Sequence, residues 1–134
     1  MSAEDNRELI DAYYRALAAG DPDMGRFFSP EAQWHLPRTS PMHGKVKGRS
    51  AIASLLSGAG VSDYYRPETL QFERRAIIAS AEGVVASFTL RAVTANGHDY
   101  ENDYCMWFCV GDGLITEVWE YFDTALLFDL IRPD

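Results

Sequence analysis

The segment "DYENDYCMWFCVGDGLITEVWEYFD" (99–123) decides the fold, because it has the pattern of two long strands joined by a tight turn. Asp112 and Gly113 lie between alternating apolar runs, which is the strongest short-range signal for a β-hairpin. If these two residues form the centre of a two-residue turn, Cys105 lies opposite Glu120 across the hairpin. The register of this hairpin then determines which side chains share a face.

Alternation along the two strands predicts two faces that are both largely apolar. One face is expected to line a pocket and carries Asp103, Cys105, Trp107, Val118, Glu120 and Phe122. The other carries Asn102, Tyr104, Met106, Phe108, Glu117, Trp119 and Tyr121. A sheet that is apolar on both sides must be covered on both sides. We therefore expect a homodimer through the outer face, with contacts from Tyr104, Met106, Phe108, Trp119 and Tyr121.

The remaining elements predict an α+β fold in a single domain spanning residues 1–134. Helices are predicted over 4–19, from Asp21 to about Phe28, over 49–57 and over 125–131. Strands are predicted over 33–36, 68–80, 83–94, 98–110 and 114–122, and residues 37–48 are predicted to be a loop. This order predicts a cone formed by a curved antiparallel sheet, with helices packed across its concave side. Small molecules bind in the mouths of such sheets.

Composition restricts the classes of partner. The chain has 134 residues and a net charge of −8, which argues against nucleic acid and anionic membranes as partners. No apolar run approaches the roughly 18 residues that a membrane span requires. The polar start "MSAEDNRELI" does not resemble a signal peptide. Cys105 and Cys109 are too far apart on one strand to form a disulfide with each other, which favours a cytoplasmic location. Three scattered histidines predict no metal site, and no cofactor is expected.

Four fragments resemble the nuclear-transport-factor-2-like superfamily, in its SnoaL-like and ketosteroid-isomerase-like branch. They are "YYRALAAGD" (13–21), "FFSPEAQWHLP" (27–37), "GKVKGRSAI" (44–52) and "DGLITEVWEYFD" (112–123). The resemblance covers nearly the whole chain and implies a cone-shaped α+β barrel that usually forms a homodimer through the outer face of its sheet. It implies less about the reaction, because this fold carries isomerases, cyclases, dehydratases, epoxide hydrolases and binding proteins.

The ketosteroid isomerase site is only partly present. The resemblance places Tyr13 at the position of the oxyanion-hole tyrosine of those enzymes. Leu36 occupies the position of their general-base aspartate, directly before a proline. Their second acid corresponds to Cys105, with Asp103 one inward position further along the strand. The resemblance therefore does not imply ketosteroid isomerase activity.

Other branches of the superfamily assign Glu120 a role. In limonene-epoxide-hydrolase-like members, the first aspartate of a "WRDYFD"-like strand helps to activate water, and Glu120 matches that position. Their Arg-x-Asp pair has no match beyond the nearby Arg91, and their first-strand tyrosine and asparagine correspond to Trp34 and Leu36. SnoaL-like cyclases use an inward acid or histidine, for which this chain offers Glu120, Asp103 and His35.

The candidate catalytic residues are Glu120, Asp103, Tyr13 and His35. Apolar neighbours would raise the pKa of Glu120 toward neutrality, which suits acid–base catalysis. The alternative is a position in water at the mouth of the pocket, or an ion pair with Arg91. Asp103 shares the predicted face, unless it belongs to a solvated strand end.

Tyr13 lies on the apolar face of the first helix, where it is either an oxyanion donor or a core residue. His35 points away from the cone if its neighbours Trp34 and Leu36 point into it. The predicted ligand-binding residues, some of which are alternatively plain core residues, are Trp34, Leu36, Cys105, Trp107, Val118, Phe122 and Arg91.

Three functional hypotheses follow. The first is a cofactor-independent isomerase, cyclase or dehydratase that acts on an apolar carbonyl or polycyclic substrate, with Glu120 transferring the proton and Asp103 and Tyr13 assisting. The second is a protein that binds a small apolar ligand without catalysis, which Leu36 at the base position favours. The third is a scaffold protein that acts through its aromatic dimer face.

Overall fold

The computed structural model describes residues 2–40, 44–57 and 63–131. His43, expected at the surface, lies outside these ranges. The helices within them are α1 (Ala3–Ala18), α2 (Arg49–Leu56) and α3 (Thr124–Ile131), with short 3-10 turns at Met24–Phe27 and Pro67–Thr69. The strands are β1 (Phe28–His35), β2 (Lys45–Lys47), β3 (Gln71–Ala79), β4 (Gly83–Val93), β5 (Asp99–Gly111) and β6 (Leu114–Phe122).

These six strands form one sheet in the order β2-β1-β6-β5-β4-β3. The predicted α+β class is confirmed, but the sheet is mixed, because β1 pairs in parallel with β6. Local patterns do not show this pairing, since four strands separate the two partners along the chain. Strand β2 lies in the segment 37–48 that we predicted to be a loop, and β1 begins five residues before its predicted start. Three residues with a lysine at each end are too short to show an alternating pattern.

Helix α1 forms within one residue of its predicted bounds. Ser2 caps it, since its hydroxyl accepts a hydrogen bond from the backbone N–H of Asp5 at 3.1 Å while the Asp5 carboxylate accepts one from the Ser2 N–H at 3.1 Å. Gly20 follows the helix with a φ of +69°, which a residue with a side chain rarely adopts. Ile10 and Tyr13 are fully buried. They fix the apolar face of α1 against the interior.

The turn between β5 and β6 has the predicted geometry. Gly111 lies opposite Leu114. Asp112 and Gly113 between them have φ angles of 52° and 77°. Positive φ at both central residues is the mark of a type I′ turn, which matches the twist of the flanking strands.

A β-bulge interrupts the hairpin soon after this turn. Val110 pairs with Ile115, whereas Cys109 pairs with Glu117. Thr116 is therefore an extra residue on β6 without a partner on β5, which is the definition of a bulge. Every pair beyond it is displaced by one residue relative to an unbroken hairpin.

Because of this displacement, Met106 rather than Cys105 lies opposite Glu120. A shift of one residue exchanges the two faces of a strand. The prediction is wrong for three β5 residues that lie on the outer face: Asp103, Cys105 and Trp107. It is also wrong for three that face the concave side instead of a partner: Tyr104, Met106 and Phe108. On β6 the predicted faces are correct, with Val118, Glu120 and Phe122 on the concave side and Glu117, Trp119 and Tyr121 on the outer side.

The helices cover the concave face of the sheet. Helix α1 packs on β3 and β4, α2 packs on β1, and α3 contacts β5. Phe28, Phe108, Ile115 and Val118 are fully buried beneath them. None of the helices in the described ranges is both long and apolar enough to cross a membrane.

Candidate functional site

A cavity of about 280 Å³ lies between the helices and the concave face of the sheet. Its walls are mainly aliphatic and aromatic, as is usual for small-molecule sites. Among the described residues that line it, Glu120 is the one with a carboxyl group, and none is a lysine, arginine or histidine. The other side chains that bring polar atoms to its walls are Tyr13, Tyr14, Trp34, Tyr65 and Tyr104.

Glu120 of β6 forms a hydrogen bond with Trp34 of the neighbouring strand β1. The parallel pairing of β1 with β6 sets Trp34 opposite Val118, two residues before Glu120. The indole Nε1–H of Trp34 donates to Oε1 of Glu120 at 3.0 Å. The apolar walls thus hold the carboxyl group beside a neutral donor, with no cation bonded to it among the described residues.

This environment changes the acidity of Glu120. Burial disfavours the charged carboxylate and raises the pKa of Glu120 from 4.5 to about 7, while the hydrogen bond from Trp34 acts in the opposite direction and only partly offsets burial. A carboxyl group with this pKa is present in both its protonated and ionised forms at neutral pH. It can therefore accept a proton and return it without a large energetic cost in either direction.

Two tyrosines of α1 line the same cavity. The ring of Tyr13 makes edge-to-face contacts with Tyr14, Phe27, Phe28 and Phe108 at centroid distances of 5.1 to 5.9 Å. Burial raises the pKa of both tyrosines well above the ordinary value, so each keeps its proton. The hydroxyl of Tyr14 is buried and has no hydrogen-bond partner among the described residues.

A second group of tyrosines forms a hydrogen-bonded chain at the cavity wall. The hydroxyl of Tyr104 lies 2.7 Å from that of Tyr100 and 3.2 Å from that of Tyr65. Asn102 Nδ2 donates to the Tyr100 hydroxyl at 2.8 Å. This group of tyrosines was not predicted from the sequence. The alternation of 100, 102 and 104 along β5 is the signal that could have identified its three strand members, whereas Tyr65 comes from an irregular segment.

Several predicted site residues lie outside the cavity. The side chain of Asp103 is 80% exposed, and Asp103 accepts a hydrogen bond from the Thr89 hydroxyl at 2.7 Å. Cys105 and Trp107 are exposed on the same outer face. Arg91 is also on this face and forms ion pairs with two glutamates of neighbouring strands: Glu73 at 2.7 Å and Glu101 at 3.2 Å.

The first strand divides its predicted residues between the two faces. Trp34 and Leu36 line the cavity, together with Phe122 of β6, whereas Val118 is buried without lining it. His35 lies on the outer face. Its ring stacks on Trp119 with 3.6 Å between ring centroids, and its Nε2 lies 2.6 Å from a Glu117 carboxylate oxygen. In the described ranges, no group of three histidine, cysteine or acidic side chains is arranged to hold a metal ion.

A sequence profile of the SnoaL-like domain matches residues 10–118. The chain belongs to the SnoaL-like domain family. This match confirms the predicted nuclear-transport-factor-2-like superfamily and its SnoaL-like branch. No functionally curated protein matches this SnoaL-like chain.

Solved structures share the whole fold of this SnoaL-like chain. Bal32a, from a soil-derived mobile gene cassette, is 25% identical with a TM-score of 0.84, covering 97% of this chain and 98% of that one. A candidate polyketide cyclase from Xanthomonas campestris pv. campestris is 27% identical with a TM-score of 0.78, covering 97% and 98%. TerC, co-crystallised with polyporic acid, is 22% identical with a TM-score of 0.83, covering 96% and 99%.

Proposed function

We propose that this SnoaL-like protein is a cofactor-independent enzyme that transfers a proton at a carbon atom next to a carbonyl group. The observation that carries this proposal is the carboxyl group of Glu120, with a pKa of about 7, in a mainly apolar cavity. Perturbed acids in clefts are typical of groups that transfer protons in catalysis. Isomerisation, cyclisation and dehydration all include such a step.

In the proposed step, ionised Glu120 removes a proton from the carbon atom next to the carbonyl. The electron pair of that C–H bond forms the C=C bond of an enolate, and the negative charge moves to the carbonyl oxygen. Protonated Glu120 then returns the proton to another carbon atom or to a leaving hydroxyl group. The balance requires no other reactant, and the hydroxyl of Tyr13 is one donor available to the enolate oxygen.

The walls of the cavity favour an apolar, ring-containing substrate. Leucine, phenylalanine and proline side chains supply most of the lining, and stacked Phe88, Tyr104 and Phe122 provide a flat aromatic surface with centroid distances of 4.7 to 5.0 Å. Two structural neighbours agree with this chemistry, since one was crystallised with polyporic acid and another is a candidate polyketide cyclase.

Deuterium exchange tests the proposal without knowledge of the natural substrate. The bicyclic ketone 2-tetralone has acidic C–H bonds beside its carbonyl and is small and apolar. We expect the protein to accelerate incorporation of deuterium from D₂O, measured by NMR, above the rate in buffer. Glu120→Gln should reduce the enzymatic rate at least about a hundredfold, the usual effect of losing a general base.

Glu117→Gln is the matched control, because it removes a carboxylate of the same strand on the opposite face. It should exchange at the wild-type rate. Equal exchange by wild type and Glu120→Gln, or no acceleration by wild type, would contradict the catalytic proposal.

A ligand-binding protein without catalysis is the second candidate. Leu36 favours it, since it places an alkyl group in the cavity where the isomerases of this superfamily carry their base. In that case 2-tetralone would bind wild type and Glu120→Gln with equal affinity, and neither would accelerate exchange.

The outer face of the sheet supports a homodimer in either case. Trp107 and Tyr121 are 47% and 52% exposed, and Val85 of β4 is exposed on the same side. Trp119 stacks between His35 and Trp107. A second copy would cover these rings.

The two cysteines are free, which agrees with a cytoplasmic location.

A further inference from the structure

The tyrosine chain in the cavity wall has a direction, which begins at Asn102. The side-chain oxygen of Asn102 accepts the backbone N–H of Asp103 at 2.9 Å, which assigns the orientation of the amide. Its nitrogen donates to the Tyr100 hydroxyl at 2.8 Å and to the backbone oxygen of Asp123 at 2.9 Å. Both amide hydrogens are therefore used, and the oxygen of Tyr100 is an acceptor.

The direction continues toward the cavity. Because Tyr100 accepts from the amide, its own hydrogen is free for Tyr104, whose oxygen lies 2.7 Å away. The oxygens of Tyr104 and Tyr65 lie 3.2 Å apart. If Tyr104 accepts from Tyr100, its single hydrogen is donated to Tyr65. This arrangement leaves every buried oxygen with a partner, as buried polar groups require. Among the described residues, the Tyr65 hydroxyl has no hydrogen-bond partner outside this group of tyrosine hydroxyls, so its hydrogen can be donated to a ligand in the cavity.

Tyr65 and Tyr104 line the cavity, whereas Tyr100 and Asn102 stand behind them. The backbone around Tyr65 is fixed, since the neighbouring Arg66 N–H donates to the oxygen of Val93 at 2.9 Å. Burial raises the pKa of Tyr65 and Tyr104 far above the ordinary value, so both are neutral donors at any ordinary pH.

We propose that the Tyr65 hydroxyl is the donor that binds a carbonyl oxygen of the ligand, and that Tyr104, Tyr100 and Asn102 polarise it. This inference rests on the proposed function in taking the cavity as the ligand site, and it specifies a ligand with a carbonyl group on an apolar ring system. Each hydroxyl in the chain accepts a hydrogen bond, which strengthens the bond it donates. This donor is separate from Tyr13, the position that the family resemblance assigns to oxyanion binding.

Two ligands of the same shape test the proposal. In 2-tetralone the acceptor is a carbonyl oxygen, and in 2-methylenetetralin a CH₂ group replaces that oxygen. We expect wild type to bind the ketone more tightly in calorimetry. Tyr65→Phe should reduce this preference about tenfold through the ketone affinity alone, the effect of one lost hydrogen bond. Tyr121→Phe, which removes a hydroxyl from the outer face, should keep it.

The infrared band of the bound ketone gives a second readout that general loosening of the cavity would not imitate. Hydrogen bonding lowers the carbonyl stretching frequency, so the band should move down in wild type and return in Tyr65→Phe. Tyr104→Phe should give an intermediate position, because Tyr65 still donates but no longer accepts. The Tyr104→Phe variant also keeps the proposal testable if Tyr65→Phe does not fold.

The outcome separates this inference from the proposed function. If Glu120→Gln retains the ketone preference and the band shift but loses exchange, both proposals stand. If wild type shows the preference and the shift but no exchange, the Tyr65 site stands and the catalytic proposal fails. An equal affinity of wild type for the two ligands, an absence of ketone binding, or an unchanged band in Tyr65→Phe overturns the Tyr65 site.

Discussion

The indole nitrogen of Trp34 donates a hydrogen bond to the carboxyl group of Glu120 at 3.0 Å, and this contact joins the neighbouring strands β1 and β6 inside the cavity. Trp34 thereby stabilises the ionised form of Glu120 in surroundings that otherwise favour the protonated form. The two effects oppose each other, so each can be tested by substitution.

Trp34→Phe should raise the pKa of Glu120 above about 7, because it removes the hydrogen bond that lowers this pKa while the cavity stays apolar. The ionised fraction at pH 6 should fall about two- to fivefold, as expected for one neutral hydrogen bond. A ¹³C NMR titration of the glutamate carboxyl groups measures the change. Trp107→Phe on the outer face is the control and should leave the titration unchanged. A lower pKa in Trp34→Phe would contradict the expectation.

Glu120 should also make stability depend on pH. Its pKa is about 7 in the folded protein and near the ordinary 4.5 when unfolded, so the folded state binds the proton more tightly between these values. The free energy of unfolding should therefore be highest below pH 4.5 as far as this group is concerned, and fall by about 3 kcal/mol as the pH rises through 7.

Glu120→Gln isolates this contribution from those of other groups. The variant should have a higher Tm than wild type at pH 8, where wild type buries a charge, and nearly the same Tm at pH 5. Thermal unfolding followed by circular dichroism at both pH values gives the comparison. Glu82→Gln, in the exposed turn before β4, should show no such crossover. If Glu120→Gln is less stable than wild type at pH 8, burial of the ionised carboxylate does not destabilise the folded protein.

The sequence was sufficient to predict the hairpin turn but not the faces of its strands. Asp112-Gly113 carries a local signal, because positive φ at two positions restricts the residue types. The bulge at Thr116 has a weaker local signal in the sequence. Ile115 and Val118 are both fully buried, and residues three apart face the same side of a strand only if a bulge lies between them. The spacing of these two apolar residues is therefore the sequence signal that indicates the bulge.

The sequence of strand β5 does not show which of its faces points inward, because both faces are largely apolar. The inward Met106 and the outward Cys105 suit a pocket equally well by residue type, so only pairing with β6 distinguishes them. The parallel pairing of β1 with β6, which brings Trp34 to Glu120, is likewise a contact between distant segments. Glu120 was singled out because "VWEYFD" resembles the last strand of the superfamily, and that match along one strand does not depend on the register of the hairpin.

Gly83→Ala should destabilise the fold by about 1 to 3 kcal/mol, the usual cost of overpacking. Gly83 begins β4 opposite Cys109, and a Cβ atom there would lie 2.3 Å from the backbone oxygen of Phe108. A backbone oxygen within a sheet cannot move away as a flexible side chain can. Urea denaturation measures the loss, and Glu82→Ala, next to it in the exposed turn, should have little effect. An unchanged midpoint would mean that the strands separate at this end without cost.

Trp107→Asp should convert the proposed dimer to a monomer. The indole is 47% exposed and stacks toward Trp119 at a centroid distance of 6.3 Å, so a partner that covers this face would bury a carboxylate in the variant. Light scattering after size-exclusion chromatography at micromolar concentration should give the dimer mass for wild type and the monomer mass for the variant. Glu101→Gln is the control, since it changes charge on the outer face at an ion pair with Arg91 rather than among the exposed rings. A wild-type protein that elutes as a monomer at this concentration would show that the aromatic face does not mediate self-association.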